Sequence, residues 1–396
     1  MNNLFQWLVY YIKCGVNILY SYINNYNFIE QVDPNQKPNQ KPNQKQRMEK
    51  IDKYLYKVHV EGSYYEMGKQ YGKAMRRVLE KDVKVFIQFL KNNNELYQRK
   101  VIDKYKKQTI FGSLLSYYED NKKYFNPDII EFTKGVSEGS SIEYNKLLYA
   151  NLFPDITDNH CILMSKIIEN KRMNLRTFDL GCPQVTHSLI VFDPKISGNN
   201  SNTKIHQNNN TNNTKMHQNK YISLNASIVF GVVTGISEKH IFFGETYYDE
   251  TLGELHYNGM PFHHISHEIL KSCNNLEDAD AILEKCNRTS NLQLMVSQKQ
   301  NARIYFSCVD NLILDQNKEN VESVTPNEQG NFKKNYHYLT SIENVIKEFI
   351  PRTKSGELHI MVSYDNKIYV SVTSDILQSY NNTFYEFSLD ELFGNH

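Results

Sequence analysis

The chain has 396 residues, with 45 lysine and arginine residues against 44 aspartate and glutamate residues, so its formal net charge is +1. A nucleic-acid-binding surface needs a concentration of basic residues, and this balance gives no support to such a function. The hydrophobic content of 40% suffices for a core, and the length allows one large domain or two ordinary ones. The six cysteines are scattered and include no C-x-x-C pair, which argues against a zinc site and a disulfide framework.

Residues 1–33 contain an apolar and aromatic run, LFQWLVYYIKCGVNILYSYI at 4–23. Gln6, Lys13 and Asn17 interrupt this run, so it is a poor membrane span, and neither a basic start nor a small-residue cleavage site marks a signal peptide. An anchor helix, an interfacial helix and a helix packed on the domain all remain open. The sequence therefore leaves the compartment open between the cytoplasm, weak membrane association and delivery to the secretory or lysosomal route.

Two polar tracts interrupt the chain. Three copies of PNQK at 34–45 cannot bury apolar surface, so residues 34–48 are predicted to form a disordered linker. The second tract, at 197–220, is rich in asparagine and lies between two strand-like runs, SLIVFDP and YISLNASIVFGVV. This pattern predicts a disordered loop inserted into a β-hairpin.

The apolar spacing changes along the chain. Three-to-four spacing predicts helices at 65–105, 128–138, 142–152, 262–273 and 276–286. After residue 160 the pattern is mainly that of short strands, with the last two helices inserted among them. Helices followed by a strand-rich body predict an α+β fold rather than regularly alternating βαβ units.

Cys161 begins a strand-like run, CILMSKII, which the turn ENK joins to MNLRTFDLG. If the two runs pair as a hairpin, Arg176 and Asp179 return to the side of Cys161. A cation favours the thiolate, and a carboxylate orients a nearby amine or base, so these residue types suit nucleophilic catalysis. On spacing alone, a buried cysteine with a surface ion pair is the alternative.

The hairpin resembles the nucleophile hairpin of the N-terminal-nucleophile (Ntn) cysteine hydrolases, in which cysteine begins the first core strand and an R-N-x-D type motif lies on the next. The acyl-CoA:6-aminopenicillanic acid acyltransferase group matches best, and choloylglycine hydrolases and acid ceramidase-like enzymes are related to it. Other segments resemble that group's motifs in the same order: VEGSYYEMGKQYGKAM at 60–75, FTKGVSEGSSIEYNKLLYANLFPDI at 132–156, VVTGISEKHIFF at 232–243, GMPFHHISHEILKSCNNLEDADAIL at 259–283, SNLQLMVSQKQNARIYF at 290–306 and LHIMVSYDNKIYVSV at 358–372.

The resemblance implies an αββα four-layer sandwich, with a helical pro-segment at 49–160 and the core at 161–396. It also implies self-cleavage between His160 and Cys161, after which the two chains stay together as a heterodimer. The substrate would be a small acyl-amide or acyl-thioester. No cofactor and no metal are implied, because the chemistry needs only a thiolate, an amine and hydrogen-bond donors.

The roles carried over from the family are those of nucleophilic catalysis. Cys161 would form an acyl-enzyme, and its new α-amino group would act as the base, since such amines titrate near neutral pH. Asp179 would hold the amine, and Arg176 would steady the thiolate and line the pocket. Water would then release the acid, or an amine would take the acyl group.

Some positions depart from the family pattern. Ser237 stands where the family usually has the asparagine of a G-x-N-E turn, and Asn335 and Tyr336 align with the first two residues of a T-N-H motif. A one-residue shift would let Asn335 replace the missing asparagine. His160 precedes the nucleophile where glycine is more usual. These departures and the apolar N-terminus leave two alternatives: a phospholipase- or ceramidase-like lipid amidase, and a catalytically silent binding homologue.

Overall fold

The computed structural model describes residues 47–101, 103–156, 159–180, 182–195, 218–247, 258–289, 292–307, 312–326 and 328–394. Residues Arg47–His396 form one compact unit. The apolar segment 4–23, the PNQK repeats and most of the tract at 197–220 lie outside the described residues. None of the described helices combines the length and the apolar character that crossing a bilayer requires.

The elements of the described residues are as follows. The strands are β1 Met48–Lys50, β2 Leu55–Gly62, β3 Asn159–His160, β4 Ile162–Ile168, β5 Lys171–Leu180, β6 His187–Pro194, β7 Tyr221–Ala226, β8 Thr234–Ser237, β9 Phe242–Tyr247, β10 Leu292–Ser297, β11 Ala302–Ser307, β12 Leu312–Lys318, β13 Val321–Val324, β14 His359–Tyr364, β15 Lys367–Val372 and β16 Tyr385–Ser388. The α-helices are α1 Tyr64–Asn92, α2 Asn94–Lys100, α3 Ile110–Asn121, α4 Pro127–Ser140, α5 Tyr144–Leu152, α6 Phe262–Ser272, α7 Leu276–Lys285, α8 Gln329–Asn335, α9 Ile342–Asn344, α10 Ile350–Thr353 and α11 Leu389–Phe393. A π-helical turn, Val345–Phe349, joins α9 to α10.

The strands form two sheets that pack face to face. The first sheet has nine strands in the order β1-β2-β6-β7-β8-β9-β10-β11-β12, and the second has β13-β4-β5-β14-β15-β16 with β3 beside β5. Their facing sides share one core, to which Val191 and Phe242 of the first sheet and Leu163 and Met361 of the second contribute. Apolar side chains at alternate positions of each strand point away from this core and meet helices.

Helices cover both outer faces. Buried residues of α1, α4, α6 and α7 pack on the first sheet. Phe332 of α8, Phe349 of the π-helical turn and Ile350 of α10 pack on the second sheet, against Ile162 and Ile360. The layers therefore follow the order α, β, β, α, and the predicted α+β four-layer sandwich is confirmed.

Most predicted helices are found within a few residues of their expected ends, but the helix expected over 65–105 is two helices. The side-chain Nδ2 and the backbone N–H of Asn93 both donate to the carbonyl oxygen of Phe89, which ends α1. A capping box between Ser63 and Glu66 begins that helix. The Asn93 side chain thus competes for a backbone carbonyl and ends the first helix, whereas apolar spacing alone predicts one continuous helix.

The flanks of the second polar tract pair as predicted. Strands β6 and β7 are antiparallel neighbours, with Leu189 opposite Leu224. The run YISLNASIVFGVV is a strand only as far as Ala226, after which Ser227 and Ile228 form a turn. The hairpin is confirmed, and the tract between its strands is outside the described residues except at 218–220.

Glycines bring α1 and α4 into direct backbone contact. A Cβ atom on Gly68 would lie 2.0 Å from the carbonyl oxygen of Phe132, and one on Gly135 would lie 2.1 Å from that of Tyr65. Both distances are well inside van der Waals contact. The two glycine-rich segments on which the family resemblance depends are therefore the two sides of one close helix crossing, which helps to fix the helical layer over the first sheet.

Candidate active site

The candidate nucleophile, Cys161, lies between the end of β3 and the start of β4, and strand β5 pairs with both of these strands. Leu163 is opposite Arg176, and His160 is opposite Asp179. These pairs belong to one continuous antiparallel register, which places Cys161 opposite Phe178. Strand β5 thus carries Arg176 and Asp179 back to the two sides of the cysteine, as the hairpin hypothesis requires.

The hairpin turn is short and has a left-handed backbone. Glu169 and Asn170 connect β4 to β5, with φ values of 51° and 61°. Two successive residues with positive φ are typical of type I′ turns, whose twist matches that of the flanking strands. The turn fixes the register of β4 against β5, and the register in turn decides which residues flank Cys161.

The thiol of Cys161 is buried in the intact chain. The residue has 0% relative exposure and belongs to the apolar cluster beneath the first helical layer. Burial raises the pKa of the thiol to about 12. The charge of Arg176 lowers this pKa, and the charges of Glu245 and Asp179 raise it. A hydrogen bond from the backbone N–H of Asp179 also lowers it. The intact chain therefore holds a neutral thiol at neutral pH, and its activation requires a change in this environment.

A pH dependence of alkylation follows from this pKa. In the uncleaved chain, reaction of Cys161 with iodoacetamide is expected to rise about tenfold per pH unit from about pH 7 to pH 10, without a plateau, because only the thiolate reacts. Mass mapping of the peptide that contains Cys161 measures the rate. A plateau between about pH 7 and pH 9 would show a thiol with a much lower pKa and would contradict the prediction.

Arg176 reaches from the second sheet to β9 of the first. Its Nη2 donates to the carboxylate of Glu245, its Nε donates to the Glu245 carbonyl oxygen at 3.3 Å, and both side chains have 0% exposure. The guanidinium carbon lies 4.0 Å from the centre of the Phe178 ring. A Cβ on Gly244 would lie 2.9 Å from Cγ of Arg176, so glycine leaves room for the arginine to cross.

Asp179 is held by the segment that precedes β14. Its Oδ2 accepts hydrogen bonds from the Gly356 N–H at 2.9 Å and the Ser355 hydroxyl at 3.2 Å, and its Oδ1 accepts one from the Glu357 N–H. Burial raises the pKa of this carboxyl to about 6, and the two backbone hydrogen bonds oppose the rise. The carboxylate is consequently ionised at neutral pH and is fixed beside the backbone that leads into Cys161.

Hydroxyl groups interrupt the β-ladder at the nucleophile. The Ile162 N–H donates to Thr177 Oγ1 at 2.8 Å, and that oxygen lies 2.6 Å from Ser355 Oγ. On the other side, the Thr325 N–H donates to the Cys161 carbonyl oxygen at 3.3 Å. The chain around Cys161 is therefore fixed by side-chain and loop contacts that leave the ladder locally open.

Sequence reasoning missed Glu245, Thr177 and Ser355. Glu245 carried one usable signal, because it is an acidic residue within an otherwise apolar strand-like run, IFFGETYY. A carboxylate in such a run needs a buried cation. Thr177 and Ser355 carried no signal, since hydroxyl residues are common in strands and loops.

Ser237 is the last residue of β8. Ser237 closes the β8–β9 turn, where its N–H donates to the Ile241 carbonyl oxygen at 2.9 Å. The Arg176 side chain meets β9 at Gly244 and Glu245, in the middle of that strand. Within the described residues, the hydrogen bonds of Ser237 with Ile241 hold it in this turn, and its role as an oxyanion donor stays a prediction.

Asn335 and Tyr336 lie in the helical layer on the outer face of the second sheet. The Nδ2 of Asn335 donates to the carbonyl oxygens of Asn331 at 2.8 Å and Arg352 at 3.4 Å. The Tyr336 ring is 38% exposed, and its hydroxyl accepts a hydrogen bond from Lys166 at 3.0 Å. The Asn335 contacts join α8 to α10, and the Tyr336 contact joins this layer to β4; none of these hydrogen bonds involves Cys161. The backbone of His160 continues from β3 into Cys161, beside Asp179.

Metal-ligating residues are not clustered within the described ranges, where no group of three or more histidine, cysteine, aspartate or glutamate side chains is arranged around a common centre. Two of the histidines of α6 are hydrogen-bonded within the protein: His264 Nδ1 accepts from the Asn126 N–H at 3.2 Å, and His267 Nδ1 lies 2.8 Å from the Tyr221 hydroxyl. The described polar groups around the Cys161 thiol are the guanidinium of Arg176, the carboxylate of Asp179 and the hydroxyls of Thr177 and Ser355.

Comparison with known proteins gives distant likenesses. No protein-family model matches the chain. The protein dcd1A of Dictyostelium discoideum is 23% identical over 184 residues, which are 45% of this chain and 39% of dcd1A, so the match spans well under half of that relative. Penicillin V acylase from Agrobacterium tumefaciens is similar with a TM-score of 0.39 and 12% identity, over 60% of this chain and 89% of the acylase. Two variants of conjugated bile acid hydrolase from Clostridium perfringens are similar with TM-scores of 0.37 and 0.36, at 10% and 9% identity, over 60% of this chain and 95% of theirs.

Proposed function

We propose that this chain is a self-processing Ntn cysteine hydrolase or acyltransferase that acts on amide or related acyl bonds through an acyl-enzyme on Cys161. The observation that carries the proposal is the register of β5, which places Arg176 and Asp179 on either side of the cysteine. The sequence resemblance to the acyl-CoA:6-aminopenicillanic acid acyltransferase group supplies the reaction class.

Self-cleavage would begin at the peptide bond between His160 and Cys161. The thiol adds to the carbonyl carbon of His160, its proton passes to the departing nitrogen, and a thioester replaces the peptide bond. Water then hydrolyses the thioester, which leaves a carboxylate on His160 and a free amine and thiol on Cys161. Asp179 is already held beside this junction, so the new amine forms next to a buried carboxylate that favours its charged form.

Turnover would use the same groups on an external substrate. The α-amine of Cys161 takes the thiol proton, and the sulfur attacks the substrate carbonyl to form an acyl-enzyme. The amine then returns the proton to the leaving group, and water or an acceptor amine releases the acyl group. The charge of Arg176 lowers the pKa of the Cys161 thiol, and Nη1 of Arg176 is buried without a hydrogen-bond partner among the described residues.

The deciding experiment is intact mass and N-terminal sequencing of the purified chain beside Cys161→Ala. We expect a fragment that begins at Cys161 in the wild type and its complete absence in the variant, because the attacking atom is gone. Cys273→Ala is the matched control, since Cys273 is also a free, fully buried cysteine and should leave cleavage unchanged. Cleavage between residues 160 and 161 in Cys161→Ala would overturn the proposal.

A catalytically silent homologue used for binding is the second candidate. It is favoured by the buried thiol with its raised pKa and by the engagement of Ser237, Asn335 and Tyr336 in contacts elsewhere. An uncut chain without Cys161-dependent turnover of any acyl amide would favour this function. Turnover confined to long-chain fatty amides or phospholipids would instead identify the lipid-amidase variant of the first proposal.

A further inference from the structure

Three side chains form a row across the second sheet, beginning at the candidate nucleophile. Cys161 is opposite Phe178 in the continuous register of β5, and Phe178 is opposite His359 of β14. Directly opposed residues of an antiparallel sheet point to the same face. Ile162 and Ile360, the next residues along their strands, point to the helices on the outer face, so the row points the other way, towards the first sheet.

The far end of the row is a pair of buried histidines. The rings of His359 and His187 are 5.3 Å apart, and the His359 ring lies 4.8 Å from that of Phe178. Nε2 of His359 is 3.1 Å from the Thr234 hydroxyl. The exposures of His359 and His187 are 0% and 1%, and Nδ1 of His359 and both ring nitrogens of His187 have no hydrogen-bond partner among the described residues.

Unpartnered nitrogens at this depth are unusual, because buried polar groups in proteins are nearly always hydrogen-bonded. Burial lowers the pKa of His187 to about 4, and burial together with His187 and Arg176 lowers that of His359 well below its usual value. Neutral imidazoles each offer one donor and one acceptor. The ring of His187 lies beside the Val185 carbonyl without adequate hydrogen-bond geometry. The pair therefore presents unused donors and acceptors at the end of the row away from the candidate nucleophile.

We propose that Phe178, His359 and His187 form the acyl-group subsite, and that the substrate acyl chain lies along the row with a polar, hydrogen-bonding group at its far end. This inference rests on the proposed function and extends it to a substrate class. Two strand spacings of about 4.8 Å separate the α-carbons of Cys161 and His359 by roughly 10 Å, which suits an acyl chain of about six carbons. A purely hydrocarbon chain would leave the imidazole nitrogens without partners, so it is the disfavoured substrate.

The test compares hexanoate with 6-hydroxyhexanoate, the product acids that differ only in the terminal hydroxyl. Their binding to the full chain, as purified, is measured by calorimetry, which requires no turnover. We expect the hydroxy acid to bind about fivefold more tightly, since one hydrogen bond to an otherwise unpaired group is gained. His359→Leu and His187→Leu should each reduce this preference, and the p-nitroanilides of the two acids should show the same order in kcat/KM.

His263→Leu is the matched control. His263 of α6 is also fully buried with both ring nitrogens unpartnered in the described structure, but its ring neighbours are Phe262 and His264. The control should keep the preference for the hydroxy acid. If His359→Leu does not unfold cooperatively, His359→Phe replaces it, because the aromatic shape is kept while the ring nitrogens are removed.

The outcomes separate this inference from the proposed function. Equal affinity for the two acids, no binding of either, or an unchanged preference in both His359 and His187 variants would overturn the subsite. Cys161-dependent turnover without any preference for the hydroxy acid derivative would support the proposed function and contradict the subsite. A preference in binding that His359→Leu removes, in a chain that shows no turnover, would support the subsite while the enzymatic proposal falls.

Discussion

Replacing Gly135 with alanine is expected to destabilise the chain severely. The new Cβ would lie 2.1 Å from the Tyr65 carbonyl oxygen and 2.8 Å from the Lys69 nitrogen, both backbone atoms of α1. No rotamer change relieves a backbone clash, so the two helices must separate and the cover of the first sheet is lost. The higher helix propensity of alanine returns only about 1 kcal/mol. We expect a net loss of about 3 kcal/mol or more in the free energy of unfolding, measured by urea denaturation.

Gly330→Ala is the control for the helix-propensity contribution. A Cβ at Gly330, within α8, would meet no atom within 4 Å. The free energy of unfolding should rise by up to about 1 kcal/mol, because alanine reduces the freedom of the unfolded chain and favours the helix. Equal effects of the two substitutions would mean that the close crossing of α1 and α4 is absent in solution.

Replacing Glu245 is expected to lower the free energy of unfolding by an amount similar to that of Gly135→Ala. In Glu245→Leu, the guanidinium of Arg176 would remain at 0% exposure without its carboxylate. Leaving one member of a buried ion pair uncompensated typically costs about 3–5 kcal/mol. Urea denaturation should be carried out in the Cys161→Ala background, so that chain cleavage does not alter the unfolding reaction.

The double variant Glu245→Leu with Arg176→Met decides whether the pair itself is the cause. Because no unpaired charge remains, we expect the double variant to be more stable than Glu245→Leu alone. Glu348→Gln serves as the surface control, since the Glu348–Arg352 pair is 39% and 50% exposed and should contribute less than about 0.5 kcal/mol. A cost of Glu245→Leu as small as that of Glu348→Gln would contradict the buried pair.

The fold was largely predictable because its signals are local or periodic. Apolar spacing predicted most helices, and the change to short apolar runs after residue 160 predicted the strand-rich body. The β4–β5 hairpin was predictable because a short turn between paired strands fixes the register. What this reading missed, such as the end of α1 at Asn93, depended on one side chain competing for backbone groups.

The surroundings of Ser237, Asn335 and Tyr336 could not be predicted in this way. Alignment with family motifs assigned Ser237, Asn335 and Tyr336 to the site, whereas their contacts lie in a turn and in the outer helical layer. A motif gives the order of residues along the chain, but the distance between two elements depends on how sheets and helices pack. Their proposed roles stay predictions.

The sequence by itself determined the α+β class, the β4–β5 hairpin and the residues that flank Cys161, because strand pairing within one hairpin is set by a short turn and by apolar alternation. Only the tertiary structure decided that Arg176 meets Glu245 across the two sheets, that Ser355 and the following backbone hold Asp179, and that the two glycine segments cross. Each of these contacts joins residues far apart in sequence. These contacts depend on how whole layers pack against one another, and no local sequence pattern determines that packing.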